Sequence, residues 1–293
     1  MTTDHLIDLH THSTCSDGTL TPTQLVHLAK QQGLHTLALT DHDTLDGIAQ
    51  AKAAAQTLGI QLVAGVEIST TFATGPFAGR ELHILGLGLD ETNLALRQAF
   101  DTLSQYRQQR NEKMLAAFHT HGIMLDKAEL HATAQGGNLT KAHFARLLIR
   151  HGHAAHFEEA FQRYLTVGCP TNVVKQSLEP REAIALINQG GGVAILAHPY
   201  RYRLTNDALV QLVSQLATLG LGGVEAIYNN HDPEQELFLR NLAETHHLVI
   251  SGGTDFHGSN KPGIQLGEGR GNMRIPLQIW ENIRDQQRNK EGN

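Results

Sequence analysis

Histidine and carboxylate residues recur at or near the ends of short apolar segments along this chain. His10 and His12 follow the first segment, and on an extended chain residues two apart point to one side, about 6–7 Å from each other. Both imidazoles can therefore reach one cation. Asp17 precedes Gly18 in a predicted turn, where an aspartate can instead serve only as a turn former. The nine candidate metal ligands are His10, His12, Asp17, His42, Glu67, His83, His198, Asp255 and His257.

Nine ligands exceed what one tetrahedral ion takes. They predict a multinuclear site with a bridging carboxylate, as in two-metal hydrolases. Imidazoles mixed with carboxylates suit Mn, Fe or Zn better than an all-oxygen Mg site. Cys15 and Cys169 lie in no activating motif, so we expect both to be small packing residues.

The segments before these residues predict alternating strands and helices. Strands are predicted over 6–10, 35–40, 61–67, 82–89, 193–197, 223–227 and 248–251. Helices are predicted over 22–32, 44–58, 181–189, 207–219 and 233–246. This alternation indicates a parallel sheet, open or closed. In such barrels, groups from different strands meet at the carboxyl ends of the strands.

The middle of the chain has a different pattern. Helices are predicted over 93–121, 126–134, 141–151 and 157–165, followed by a strand over 165–174. The economical interpretation is an α/β barrel interrupted by a helical insert. We expect the last dozen residues to be a fraying tail.

Composition limits the classes of function. Lys and Arg number 23 against 29 Asp and Glu, a net charge of −6, so no overall positive field attracts a polyanion, which must be bound locally. The two cysteines argue against a disulfide framework and predict a cytoplasmic protein. No apolar run approaches the roughly 20 residues that span a bilayer, so we expect no membrane partner.

Five ordered motifs resemble those of the PHP (polymerase and histidinol phosphatase) family. They are His10-Thr11-His12-Ser13 with Ser16-Asp17-Gly18, Thr40-Asp41-His42-Asp43, Gly65-Val66-Glu67, Leu196-Ala197-His198-Pro199 and Gly253-Thr254-Asp255-Phe256-His257. The resemblance covers residues 1–90 and 180–270 approximately. The chain is most similar to the branch that has a helical insert and releases the 3'-phosphate of nucleoside 3',5'-bisphosphates. Some members of that branch also trim RNA from the 5' end.

The resemblance implies a distorted (β/α)₇ barrel, formed by residues 1–92 and 179–293, with an insert over 93–178 that forms part of the substrate pocket. It also implies three divalent ions, with Mn expected and Fe or Zn as alternatives. The implied ligand sets are His10, His12, Glu67 and Asp255 for the first ion, Glu67, His83 and His198 for the second, and Asp17, His42 and His257 for the third.

We predict that a metal-activated hydroxide attacks phosphorus directly, with no covalent enzyme intermediate. Arg201 follows His198-Pro199 closely, so it is predicted to clamp a phosphate, although it can also be a surface-loop arginine. The predicted catalytic residues are Glu67, Asp17, His42 and Arg201.

A bisphosphate needs a second anion site, which we predict at the start of the helix over 141–151. Thr140 can cap this helix, and three basic side chains follow within two turns. The same pattern also fits an amphipathic helix with solvated charges. The predicted substrate-binding residues are Thr140, Lys141, His143, Arg146, Arg201 and Asn230.

The expected reaction is hydrolysis of a compound such as 3',5'-bisphosphoadenosine to AMP and phosphate. Alternatives are a 5'-3' exoribonuclease acting on short 5'-phosphorylated RNA, a histidinol-phosphate phosphatase, and a non-enzymatic, metal-stabilised binding module. Histidinol phosphate carries one phosphate and an amine, whereas the basic insert favours a second anion. The predicted partners are therefore a nucleotide or a short RNA, with no stable protein partner.

Overall fold

The structure is a computed structural model that describes residues 6–134, 137–271 and 273–291. Within these residues, seven strands form one sheet whose spatial order follows the chain. They are β1 (Ile7–Asp8), β2 (Thr36–Leu39), β3 (Gln61–Thr71), β4 (Glu81–Leu87), β5 (Val193–Leu196), β6 (Gly223–Tyr228) and β7 (Val249–Gly253). The sheet curves until β1 meets β7, where the Leu9 amide donates to Gly252 O at 3.2 Å and the Asp255 amide to His10 O at 2.8 Å. The predicted barrel is therefore confirmed.

The strands are not all parallel, which corrects the sequence-based expectation. β1, β2 and β3 are mutually parallel, as are β5, β6 and β7, but β4 runs antiparallel to both of its neighbours. The connection over 72–80 is shorter than the dozen or so residues that a parallel crossover requires, so β3 and β4 pair as a long hairpin. As a result, β4 begins at the rim where the parallel strands end.

Ten α-helices accompany the sheet in the described part of the chain. They are α1 (Pro22–Gln31), α2 (Ile48–Leu58), α3 (Leu94–Thr120), α4 (Lys127–Thr133), α5 (Lys141–Arg150), α6 (Phe157–Ala160), α7 (Pro180–Gln189), α8 (Asn206–Thr218), α9 (Pro233–Thr245) and α10 (Gln278–Glu291). Their starts are locally encoded: Thr21 and Gln24 form a capping box at α1, and Thr140 and His143 form one at α5. Helix α2 begins four residues later than predicted because 44–47 form a turn, with the Ile48 amide bonded to Leu45 O.

Helices α3 to α6 lie between β4 and β5 in the chain, and much of this region has its own hydrophobic cluster. Phe118 and Phe144 lie at its centre, both fully buried, with ring centroids 5.8 Å apart. A π-helical turn, Phe161–Leu165, follows α6. The strand predicted over 165–174 is absent from this described segment, which instead forms turns in which the Cys169 amide donates to Thr166 O. Pro170 has no N–H for a strand ladder, which favours this outcome.

The fraying tail predicted for the last dozen residues is wrong as far as Glu291, because α10 continues to that residue. Ile279, Trp280 and Ile283 recur at helical spacing and are buried in a cluster with side chains from strands β1 to β6. Gln287 Nε2 also donates to Gly88 O at 2.9 Å and to Gly191 O at 2.6 Å. The helix is therefore fastened to the barrel. Residues 292 and 293 lie outside the described part.

A search of the described residues for membrane spans identified no helix with the length and apolar character to cross a bilayer.

Candidate metal centre and adjoining cavity

The predicted ligands converge at the rim of the barrel. Three groups of side chains each bring their ligand atoms within 4.8 Å of one another. The groups are His10, His12, Glu67 and Asp255; His12, Asp17, His42 and His257; and His42, Glu67 and His83. His198 joins the same cluster, with Nε2 at 2.9 Å from Glu67 Oε1. His83 reaches it from within β4 because that strand begins at this rim.

These groups differ in detail from the sets that the family resemblance implied. The first set is the same. The group with His83 contains His42 where the implied second set had His198, and the group with His257 contains His12 in addition to the implied third set. His12 and His42 each belong to two groups, and their ring centroids lie 4.6 Å apart.

Unpartnered atoms indicate that the cluster fits divalent ions. Among the described residues, His10 Nε2, His12 Nε2, His42 Nδ1 and Asp17 Oδ1 are buried and have no hydrogen-bond partner. The two Nε2 atoms lie 3.3 and 3.2 Å from Glu67 Oε2, without hydrogen-bond geometry. Ligands about 2.0–2.2 Å from a shared ion lie at roughly this separation from each other. Imidazole nitrogen and carboxylate oxygen are also the donors that Mn, Fe and Zn accept.

Burial and neighbouring charges shift the pKa values in the cluster in both directions. Burial alone would raise the pKa of Glu67, but the imidazoles around it, chiefly His42 and His83, hold that pKa well below its usual range. Burial lowers the pKa of His42 and that of His198 to about 3. Although burial opposes it, contacts with carboxylates raise the pKa of His12 to about 9 and that of His83 to about 10. An ionised carboxylate and a neutral imidazole are the forms that ligate a cation, so metal binding would release protons from His12 and His83.

Two of the predicted ligands have unusual backbone conformations. His198 has a φ of 29° and Asp255 a φ of 54°, both in the left-handed region that non-glycine residues rarely adopt. The surrounding hydrogen bonds hold them there: the His198 amide donates to Glu225 Oε2 at 2.7 Å, and the Asp255 amide donates to His10 O. Such strain concentrates at functional sites, where the fold directs particular side chains inward.

Glu225 is a residue of this site that the sequence interpretation missed. It is fully buried in β6, where its Oε1 and His10 Nδ1 share a hydrogen bond of 2.9 Å. This contact fixes the orientation of the His10 ring and leaves Nε2 facing the cluster. The only signal in the sequence is a carboxylate inside an otherwise apolar strand.

We expect Glu225→Gln to weaken metal binding about 10- to 100-fold, the usual effect of losing an outer-shell partner of a ligating histidine. Activity should recover as Mn²⁺ is raised, because His10 itself remains. A metal titration of activity on the variant and on Glu244→Gln, an exposed glutamate of α9, measures the effect. An unchanged Mn²⁺ requirement in Glu225→Gln would contradict this role.

Asp255 connects the cluster to Arg201. Its Oδ1 faces His12 and His257 at 3.4 and 3.3 Å, while its Oδ2 accepts hydrogen bonds from Tyr228 Oη at 2.8 Å and Arg201 Nη1 at 3.1 Å. Lys261 also contacts Oδ2. The structure thus brings Arg201 next to the predicted metal ligands, and its side chain is about half exposed, which leaves it accessible to a ligand.

The residues predicted to bind the second phosphate separate into two groups. Thr140 and His143 cap α5, and Thr140 Oγ1 lies 3.5 Å from Asp17 Oδ2. Arg146 instead donates to three oxygens, namely Asn260 Oδ1 at 2.9 Å, Thr133 O at 3.2 Å and Asp17 O at 3.3 Å. It therefore ties the insert to the turn that carries Asp17.

Asn230 lies apart from this group of residues. It is exposed, and its Oδ1 accepts a hydrogen bond from Arg270 Nε at 3.1 Å. Arg146 and Asn230 therefore both form hydrogen bonds with other groups of the protein. Their predicted contacts with substrate stay predictions.

A cavity of about 200 Å³ adjoins the cluster. His42, His83 and Asp17 line one part of it. Its basic lining residues are Arg107, Arg110, Lys141 and Lys175. Lys141 was predicted from the sequence, whereas the other three were missed. The available signal was a pair of arginines, Arg107 and Arg110, on the apolar face of α3, where both are 5% exposed.

Carboxylates neutralise part of this positive charge, and one of them, Glu81, also lines the cavity. Asp43 Oδ2 accepts from Lys175 Nζ at 2.7 Å and from Arg107. Although burial opposes ionisation, these two cations hold the pKa of Asp43 far below its usual range. Arg110 differs, because its Nε and Nη2 are buried without a hydrogen-bond partner in the described part of the chain. Burial lowers the pKa of Arg110 to about 9, which still leaves it charged at neutral pH.

Comparison with known proteins agrees with this geometry. A 5'-3' exoribonuclease of Haemophilus influenzae is 36% identical over 94% of this chain and 97% of its own length. A 3',5'-nucleoside bisphosphate phosphatase of Chromobacterium violaceum is 33% identical over 94% of this chain and 96% of its own. A solved amidohydrolase structure from C. violaceum, with bound SO4 and no metal, superposes with a TM-score of 0.84 at 32% identity, covering 96% of each chain.

The barrel, the ligand cluster and these relatives define a metal-dependent phosphoesterase. The chain belongs to the PHP family, since the family's PHP domain matches residues 8–174. His198, Asp255 and His257 come after the matched segment and still lie in the same cluster.

Proposed function

We propose that this enzyme hydrolyses the 3'-phosphate of nucleoside 3',5'-bisphosphates and is loaded with three divalent ions, Mn²⁺ being the expected metal. The observation that carries this proposal is the cavity in which a metal-ligand cluster adjoins a separate group of cations. Such a site offers one position for a reacting phosphate and another for a phosphate that does not react. The name of the C. violaceum relative supports the same substrate class.

The ligand cluster would hold the ions. His10, His12 and Asp255 would bind one, Glu67 would link it to a second, and Asp17 would help hold the third. When bound, such ions lower the pKa of a water molecule and neutralise charge on the phosphoryl group. In the overall reaction, a water oxygen joins phosphorus, the P–O3' bond breaks, and the 3'-oxygen leaves as a hydroxyl group.

Arg201 would orient the reacting phosphate. Its guanidinium is held beside the cluster by Asp255 Oδ2 and Tyr228 Oη, yet about half of the Arg201 side chain is exposed. A planar guanidinium can donate two parallel hydrogen bonds to a phosphate. Donors that already point at the position where charge develops need little rearrangement during the reaction.

The 5'-phosphate would occupy the cationic part of the cavity. Arg107 and Lys175 share one carboxylate, and Arg110 has unused donors, so positive charge remains for an incoming anion. A phosphate would supply the hydrogen-bond acceptors that Arg110 lacks. Much of this lining belongs to residues 93–178, so we propose that these residues form part of the substrate pocket and that 1–92 and 179–293 carry the metals.

A second candidate activity is removal of nucleotides from the 5' end of a short RNA. The H. influenzae relative is named for that activity. The terminal nucleotide of a 5'-phosphorylated RNA has the same two groups, a 5'-phosphate and a phosphodiester at its 3'-oxygen. One site can therefore accept both substrates if the cavity is open to the following nucleotide.

Substrate comparison with Mn²⁺-loaded enzyme tests the proposal. We expect 3',5'-bisphosphoadenosine to give AMP and phosphate with a kcat/KM at least tenfold above that of 3'-AMP, since a charge-assisted contact contributes about 1.5–3 kcal/mol. Histidinol phosphate and a 5'-phosphorylated trinucleotide are the alternative substrates in this comparison. Equal rates on 3'-AMP, or a preference for histidinol phosphate, would overturn the proposal. Faster cleavage of the trinucleotide would favour the second candidate.

A further inference from the structure

The cavity beside the metal cluster has an apolar part that the phosphates do not explain. Phe161, Val167 and Val174 line it, and all three come from the segment that follows α6. Val167 is 80% exposed and Val174 is 71% exposed. Single exposed valines are common in proteins. Two of them facing one cavity together with an aromatic ring are typical of a ligand-binding surface.

Hydrogen bonds within residues 161–172 hold the part of the segment that carries Phe161 and Val167, and Phe161 also packs against the hydrophobic cluster of the insert. Phe161 opens the π-helical turn, whose end is closed by the Thr166 amide donating to Phe161 O. Thr171 Oγ1 donates to Tyr164 O at 2.7 Å, and the Asn172 amide donates to Cys169 O at 3.0 Å. π-Helical turns of this kind are frequent at functional sites.

Asn172 adds a polar group to the same wall. It lines the cavity, and its Oδ1 is buried without a hydrogen-bond partner among the described residues. Leaving such a group unpaired is costly, and a ligand N–H would satisfy it. A planar ligand with apolar faces and polar edges matches this combination of side chains.

We infer that Phe161, Val167, Val174 and Asn172 form the subsite for the nucleobase. The inference rests on the proposed function, because it requires a nucleotide whose phosphates occupy the metal cluster and the cationic part of the same cavity. Phe161 and the two valines contact the faces of the base, and Asn172 bonds to its edge. Because every base has such faces, the subsite accepts purines and pyrimidines with modest discrimination.

A comparison of two substrates on two enzymes tests this inference. The substrates are 3',5'-bisphosphoadenosine and its 1-deoxyribose analogue, which keeps both phosphates and has no base. The variant Val167→Ser/Val174→Ser removes apolar surface at exposed positions and adds no charge. We expect its kcat/KM to fall about tenfold on the nucleotide and less than twofold on the analogue. Asn172→Ala should show the same selectivity.

Leu94→Ser is the matched control, since Leu94 is 72% exposed and lies outside the cavity lining. It should leave both substrates unaffected. Equal losses on both substrates, or none on either, would overturn the nucleobase subsite while leaving bisphosphate hydrolysis intact. If the wild-type enzyme hydrolyses neither compound with Mn²⁺, the proposed function fails and the subsite fails with it.

Discussion

Replacing Glu67 by glutamine is expected to lower hydrolysis by at least about a thousandfold, because the metal contribution to such reactions amounts to several kcal/mol. The Glu67 carboxylate lies at the centre of the cluster. Its Oε1 is 2.7 Å from His83 Nδ1 and 2.9 Å from His198 Nε2. Its Oε2 faces imidazole nitrogens of His10, His12 and His42 at 3.2–3.3 Å. Glutamine keeps the size, but it removes the charge and directs an N–H₂ group toward atoms that bind cations.

An element-resolved metal count alongside activity distinguishes this effect from a loss of folding. We expect Glu67→Gln to retain a folded barrel, to bind less metal, and to stay inactive at high Mn²⁺. Glu225→Gln is the informative comparison, since it alters another buried glutamate of the site and its activity should be restored by added Mn²⁺. Glu244→Gln should behave as wild type. A Glu67→Gln enzyme with full activity and full metal content would exclude the bridging role.

The ligand cluster was predictable because its signals are local. The end of a strand fixes the directions of neighbouring side chains, so His10 and His12 can be recognised as a candidate ligand pair from three residues of sequence. The fold then brings several such exits to one rim. His83 does not follow the strand-exit rule, and β4 provides the reason, since its reversed direction places a residue near its start at that rim. The sequence indicates this reversal, because the connection over 72–80 is too short for a parallel crossover.

The cationic cavity was less predictable because it depends on packing between distant segments. Arg107 and Arg110 continue the buried face of a 27-residue helix, but helical periodicity cannot tell which other part of the chain that face meets. Lys175 lies in an irregular segment. Arg146 was predicted to lie on a helix that begins near residue 141, and α5 confirms that helix. The contacts of Arg146 with Thr133 O and Asp17 O, in contrast, are revealed only by the tertiary structure.

Removing the buried charge of Arg110 is expected to raise the stability of the protein and to weaken substrate binding. We expect Arg110→Met to stabilise the substrate-free protein by about 1–3 kcal/mol, because methionine removes a buried charge that lacks partners. The same change should raise KM for the bisphosphate roughly 10- to 100-fold, as the contact with the 5'-phosphate is lost. Thermal unfolding and steady-state kinetics measure the two effects separately. Added phosphate should raise the wild-type Tm more than that of the variant.

Arg107→Met provides the contrast, because it removes the same kind of side chain from a different electrostatic setting. Arg107 neutralises Asp43, whose carboxylate is fully buried, so its loss leaves that anion with only the Lys175 ammonium and the Ser69 amide as hydrogen-bond partners in the described part of the chain. Breaking a buried pair in this way destabilises a protein. Arg107→Met should therefore lower Tm, and Arg110→Met should raise it. If both variants lost stability while KM stayed unchanged in Arg110→Met, then Arg110 would be a packing residue and the second phosphate would bind elsewhere.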